Sequence, residues 1–312
     1  MALNLKELRT FGKEKAVFFG FPLFGMSQAK IPPADAENFQ TWEKQGYYGE
    51  MTWWRDRMPI RLHFQSLGFE PSTCLVFGAP YPKENPTRIS SKIVSNYALG
   101  EDYHSVLKNK LKPFLEELRS LFPKNKFRQT VDSVAISEKV LAREAGLGWI
   151  GKNTNLLSKE FGSYFFLTTI LTDIIWEENF FSNQQTDHCG TCRACLDACP
   201  TGALIGERQI DARKCISYQN IEMRENDRRD WSRWVYGCDI CQEVCPWNGG
   251  ILDRKGARTF IEFQASSVWE KDWQNPNFWD EANFGDLLGK SPIQRIGFPK
   301  WKENLKGEGR AS

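Results

Sequence analysis

The apolar positions of this chain keep two rhythms. From Tyr103 to Leu121 they return at helical spacing: Leu107, Leu111, Leu115 and Leu118 form one stripe, Lys108, Lys110 and Lys112 form a basic face, and Pro123 ends the pattern. Leu3, Leu5, Leu8 and Phe11 predict an amphipathic helix from Leu3 to Lys15. Ala34–Gln45 and Ile136–Ala145 predict two more helices, the second stopped by Gly146. Elsewhere the apolar residues run together without helical spacing. Ala16–Gly20, Thr73–Phe77 and Gly162–Leu171 are short, rich in aromatic or β-branched residues, and read as strands; Thr130–Ser133 reads as a short extended piece. Cys74, inside the second run, reads as a small buried hydrophobe. The Gly-punctuated aromatic stretch Gly46–Trp54 reads as a loop. Beyond Asn248 the chain is polar with many Trp and Phe, and Lys290–Arg310 is basic enough to be expected to fray.

At 312 residues the chain can bury a large core, and two domains are the prior. Its net charge of +2 does not by itself argue for nucleic acid. Basic clusters at Lys108–Lys112, Lys124–Arg128, Arg208–Lys214, Arg224–Arg233 and Lys290–Lys306 are each ordinary solvated faces, but several around one aromatic site would suit an RNA backbone. The N-terminus lacks the apolar core of a signal peptide, and no apolar run reaches the roughly 18 residues of a membrane span, so neither export nor membrane is expected.

The cysteines change the picture most. Cys189, Cys192, Cys195 and Cys199–Pro200 spell C-x2-C-x2-C-x3-C-P, the run with which bacterial ferredoxins hold iron–sulfur clusters. Cys215, Cys238, Cys241 and Cys245–Pro246 form a looser second run. In two-cluster ferredoxins the fourth Cys of a run serves the other cluster. That rule predicts one [4Fe-4S] cluster on Cys189, Cys192, Cys195 and Cys245, and another on Cys199, Cys215, Cys238 and Cys241. Zinc would favour paired knuckles, and disulfides an oxidising compartment. Cluster thiolates instead place the chain in the cytoplasm.

Gly146-x-Gly148-x-x-Gly151 matches a dinucleotide-binding string, but a helix precedes it and a strand follows, the reverse of what that site needs. Asp132, just ahead of a helix, reads as a first-turn carboxylate or as a general acid at a pocket mouth. Asp102-x-His104 begins a cobalamin-binding motif but lacks its glycine, so His104 reads as a helix-start residue.

Val131–Ser133, Ala145–Thr154, Gly162–Ser163, Cys189–Leu204, Cys215–Ser217 and Tyr236–Asn248 together resemble the epoxyqueuosine reductase family in order and spacing over about residues 10 to 250. The resemblance implies an α+β fold: a reductive-dehalogenase-like cobalamin-binding α/β domain (1–180), a bacterial two-[4Fe-4S] ferredoxin-like module (181–250) and a short helical tail (251–312). It implies a cobalamin-dependent enzyme with two [4Fe-4S] clusters as electron relay, in which cob(I)alamin opens the epoxide and Asp132 donates the proton. The substrate would be tRNA bearing epoxyqueuosine at the wobble position, presented by its anticodon loop. The relay would need an external donor such as a flavodoxin or ferredoxin system, and a monomer is expected. Cobalamin contacts carried over by motif are Arg57, Asp132, Lys152, Asn153, Leu156 and Ser217. Asn96–Tyr97 and Asp102–His104 also match, with Ser95 where some relatives carry Cys. The C-terminal helical repeats with which many relatives grip tRNA are expected to be short or missing here. Two other readings stay open: a dehalogenase-like enzyme acting on a small molecule, and a ferredoxin-like electron carrier.

Overall fold

The computed structural model describes residues 5–64, 67–132, 134–175, 186–224, 233–249 and 259–307. Four antiparallel strands form the central sheet, in the order Leu23–Gln28, Thr73–Pro80, Phe165–Thr172, Phe127–Thr130. Thr73 pairs with Thr172, and Thr130 with Thr169. Every residue of Thr73–Pro80 is buried, because the sheet is covered on both faces. Leu75, Phe77 and Ala79 enter one core with the stripe of the Tyr103–Leu121 helix; Cys74 and Val76 enter the other, against Val140, Leu141 and Ala142 of the Glu138–Glu144 helix.

The Tyr103–Leu121 helix keeps its predicted bounds, capped by Asp102, whose side chain accepts from the His104 amide. The Pro33–Lys44 and Glu138–Glu144 helices lie within a few residues of prediction. Ala16–Gly20 is corrected: the first helix runs Leu5–Phe18, Gly20 turns the chain at φ 88°, and the strand begins at Leu23. Ala16 and Phe21 reach the core from the helix and the turn, so a run of apolar residues arises there without strand periodicity.

The C-terminal stretch does not fray over Lys290–Lys306. Gly297–Lys306 is helical, and Trp269, Trp273, Trp279 and Trp301 form a third core with Val94, Val235 and Tyr236. Asn304 Nδ2 stitches this core by donating to the carbonyls of Asn220 and Val235, both at 2.9 Å. The tryptophans there are core filling. The parallel pair Ile93–Val94 and Trp234–Tyr236 ties the C-terminal third to the sheet domain. The reading of Thr130–Ser133 ends on Ser133, and most of Arg224–Arg233 likewise lies outside the described residues. No helix among the described residues is long and apolar enough to cross a membrane.

Candidate functional site

The eight cysteines sort into two groups by electrostatic neighbourhood. Cys245 feels Cys189, Cys195 and Cys192, and these four line one cavity of about 440 Å3 with His188, Trp247 and Lys152. Cys215 feels Cys199, while Cys238 and Cys241 both feel Cys215. The cavity holds together the first crossed set read from the spacing, whereas Cys241 of the second set feels Cys195 as well as Cys215 and Cys199. A cubane needs four thiolates at four corners, and each set supplies four soft donors. Among the described residues no three Cys, His, Asp or Glu side chains converge as a single ion would require. Burial pushes the thiols of Cys215, Cys238 and Cys241 up, while Cys192 of the other set is exposed. Burial also raises Cys195 and Cys245 of the first set, and Cys192 is the one exposed thiol among these eight. Cys241 also feels Cys195, which places the two groups side by side.

The sheet domain grips this centre through polar side chains. Ser163 N–H donates to Asn248 Oδ1 at 2.7 Å, and Asn248 Nδ2 donates to Ser163 Oγ at 2.9 Å and to Gln242 O at 2.7 Å. Gly162 must be glycine here: at φ 58°, a Cβ would lie 2.0 Å from Asn248 Oδ1. Buried Asp239 receives the Asn96 amide at 2.7 Å and the Ser95 hydroxyl, and burial lifts its carboxyl to about 6. Lys152 is buried; its Nζ donates to Gly190 O at 2.7 Å and pairs with Glu207 at 2.7 Å. Asn153 Nδ2 donates to Cys241 O at 3.1 Å, and Leu156 is buried in the second core. Gly148 lies flat on its own hairpin, with Leu157 O only 1.9 Å from where a Cβ would be. Those glycines serve close packing.

On the other side of this loop stands Asp132. The Phe127–Thr130 strand ends, Val131 is fully buried, and Asp132 turns outward at φ 48° with its side chain 65% exposed. Tyr103, at the start of its helix, donates its hydroxyl to Asp132 Oδ2 at 2.7 Å. Its ring is stacked between His104 at 4.1 Å and Phe166 at 4.3 Å, which fixes the hydroxyl's aim. Burial and then the Asp132 charge hold the phenol well above its ordinary range, so it stays a donor. His104 Nε2 lies 3.9 Å from Asp132 Oδ2, and its Nδ1 bonds Asp102 Oδ1 at 2.6 Å. Burial works against the Asp102 charge, but the His104 bonds outweigh it and its carboxyl titrates low.

Three charged residues around Asp132 escaped the sequence. Glu138 receives the Asp132 amide on both carboxyl oxygens, at 3.2 Å each. Lys139 is exposed, and the protein packed around it lowers its ammonium despite the pull of Asp132. Its Nζ donates to Thr154 O and Asn155 Oδ1, both at 3.2 Å, joining this site to the loop that holds Cys241. Arg61 is 8% exposed and its Nε has no partner. Burial brings its guanidinium down to about 10, opposed by Asp132 and helped by Arg57, and it stacks 4.5 Å from the Trp54 ring. Arg57 is exposed, and Ser217 is half-buried beside Cys215. Arg61 follows Arg57 by one helical turn, but nothing in the sequence says which of the two is buried.

Comparison with known proteins adds a lineage. Residues 188–248 match the family model "4Fe-4S double cluster binding domain", and 61–133 match "Epoxyqueuosine reductase QueG, DUF1730". An epoxyqueuosine reductase of Cyclobacterium marinum is 39% identical over 94% of both chains. The solved epoxyqueuosine reductase of Streptococcus thermophilus superposes with a TM-score of 0.82 and 26% identity, over 97% of this chain and 80% of that one. An epoxyqueuosine reductase solved with an epoxyqueuosine-modified tRNA-Tyr stem loop superposes at 0.81 with 24% identity, over 97% of this chain and 80% of that one.

Proposed function

The chain belongs to the epoxyqueuosine reductase family, and from that premise we propose how its residues reduce epoxyqueuosine to queuosine at the wobble position of tRNA, the last step in making that base. It is an oxidoreductase carrying two [4Fe-4S] clusters. The observation that carries the residue-level reading is the juxtaposition of two thiolate sets with an outward-turned aspartate, joined through one loop by Asn153 and Lys139.

The donors near Asp132 support this as the place where cobalamin is held. The buried Arg61 Nε and Ser137 Oγ lack partners there, and Arg57 adds a second cation at the rim. Such donors suit the phosphodiester and amide arms of a corrinoid. Arg57, Arg61 and Ser217 are the residues proposed to hold it. Lys152 and Asn153 already have their polar atoms engaged, and support the site by fixing the loop, with Leu156 as its apolar backing. When bound, the cofactor supplies a strong, rechargeable nucleophile for opening the epoxide.

This chain's residues do the rest. Tyr103 occupies Asp132 Oδ2, leaving Oδ1 to carry the transferable proton. Asp132 delivers it to the epoxide oxygen as the ring opens. Full reduction takes two electrons and two protons and releases the oxygen as water. The cysteine set that includes exposed Cys192 is the electron entry and the other set the relay, fed by an external carrier such as a flavodoxin or ferredoxin. The base, in a single-stranded anticodon loop, is readily unstacked to reach the site. A cytoplasmic monomer is the proposed working form.

Anaerobic reconstitution with iron, sulfide and cobalamin should give a preparation that converts an epoxyqueuosine stem loop to queuosine, read by mass spectrometry. A fully loaded preparation that fails to convert it refutes the proposal. Arg61→Met should weaken cobalamin binding about tenfold to a hundredfold, the worth of a lost charged hydrogen bond. The cofactor-free variant should melt no earlier than wild type, because an unpartnered buried charge is removed.

A further inference from the structure

A positive φ at Asp132 costs conformational energy, so neighbouring structure must hold it there. Both oxygens of Glu138 receive its amide at 3.2 Å. Glu138 is itself anchored: Thr130 Oγ1 donates to Oε1 at 2.9 Å and shares a 2.7 Å bond with Thr169 Oγ1, while Thr168 Oγ1 donates to Thr130 O at 2.9 Å. The carboxyl group therefore hangs from the last residue of the edge strand Phe127–Thr130 and reaches the backbone amide that sets the pose of the acid. No step of the mechanism uses it otherwise.

We propose that Glu138 is a positioning residue, a latch that holds the Asp132 backbone in its left-handed pose and so keeps the Asp132 carboxyl under the Tyr103 hydroxyl. The latch is a statement about the backbone; its effect on turnover rests on Asp132 being the acid.

The ionisable groups facing Glu138 are Asp132 from the turn, Tyr103 from its helix and Cys74 from the central strand. Burial keeps Tyr103 and Cys74 protonated, so among these groups it is Asp132, when ionised, that adds a charge beside Glu138. Burial, then that charge, lifts Glu138 from 4.5 to about 8. The latched carboxyl keeps a proton that a released, solvated one gives up near 4.5. Latching therefore weakens as pH climbs between those values and levels off above about 8.

The test uses the full chain. Glu138→Ala should speed hydrogen exchange at the Asp132 amide by about tenfold or more. In the loaded enzyme it should lower kcat by about 10- to 100-fold with KM little changed. Glu138→Gln keeps an acceptor for the amide without titrating. It should preserve amide protection and remove the Glu138 share of the fall in kcat as pH rises towards 8, leaving the fall that Asp132 itself imposes as the acid. Unchanged exchange in Glu138→Ala, or a wild-type pH profile in Glu138→Gln, overturns the proposal. Exchange is read without turnover, so failure of the latch is separable from failure of the acid assignment, which an active Asp132→Asn enzyme would show.

Discussion

Asp132→Asn should load both clusters and cobalamin, bind the epoxyqueuosine stem loop within about threefold of wild type, and turn over about 10²- to 10⁴-fold more slowly, the usual worth of a positioned general acid. The substitution is chosen for the backbone. Asparagine accepts the left-handed region readily, so the φ of 48° and the amide bond to Glu138 survive. The side-chain oxygen still takes the Tyr103 hydroxyl, and only the transferable proton is lost. Two measurements locate the defect. Chemical reduction of the clusters should proceed at the wild-type rate, because the thiolate sets do not touch Asp132. Glu138 should titrate lower in the variant, since the charge that helps raise it is gone. Turnover within about fivefold of wild type would remove Asp132 from the mechanism.

How far the sequence spoke depended on whether the controlling physics was local. The Tyr103–Leu121 helix could be read to the residue because its stripe lies within the segment and its proline stop just beyond it. Thr73–Phe77 could be read as a strand, but a run buried on both faces does not say which residue serves which core; only its sheet neighbours decide that. Ala16–Gly20 failed for the converse reason: two apolar residues entering one core from a helix end and a turn mimic a strand. The C-terminal tryptophans looked like a polar tail because their partners, Val94 and Val235, come from distant segments. The double-cluster module was legible because cluster spacing is written in the chain. Glu138, Arg61 and Tyr103 were not: an acid in a helix's first turn is ordinarily a dipole partner, and nothing local marks one as the support of a strained amide.

The second large effect follows from the crossing of the cysteine sets. If each run held its own cluster, Cys199→Ser would damage the centre that includes exposed Cys192, because Cys199 lies in the first run. The proposed crossing instead puts Cys199 with Cys215, Cys238 and Cys241, and Cys245 with the set that includes exposed Cys192, a pairing supported by Cys215 feeling Cys199 and Cys245 feeling Cys189, Cys195 and Cys192. Cys199→Ser and Cys245→Ser should each lower iron from about eight to about four atoms per chain, with opposite clusters lost. Each should also stop turnover, since electrons must pass both centres. Pairwise substitution makes the test independent of which signal is assigned to which cluster. Cys199→Ser with Cys238→Ser should lose no more iron than either alone, because both remove the same centre; Cys199→Ser with Cys192→Ser should lose nearly all of it. The reverse pattern, with Cys199 and Cys192 behaving as one unit, would show that the runs are not crossed. It would also undo the order of the relay, because Cys199 would then belong to the centre that includes exposed Cys192.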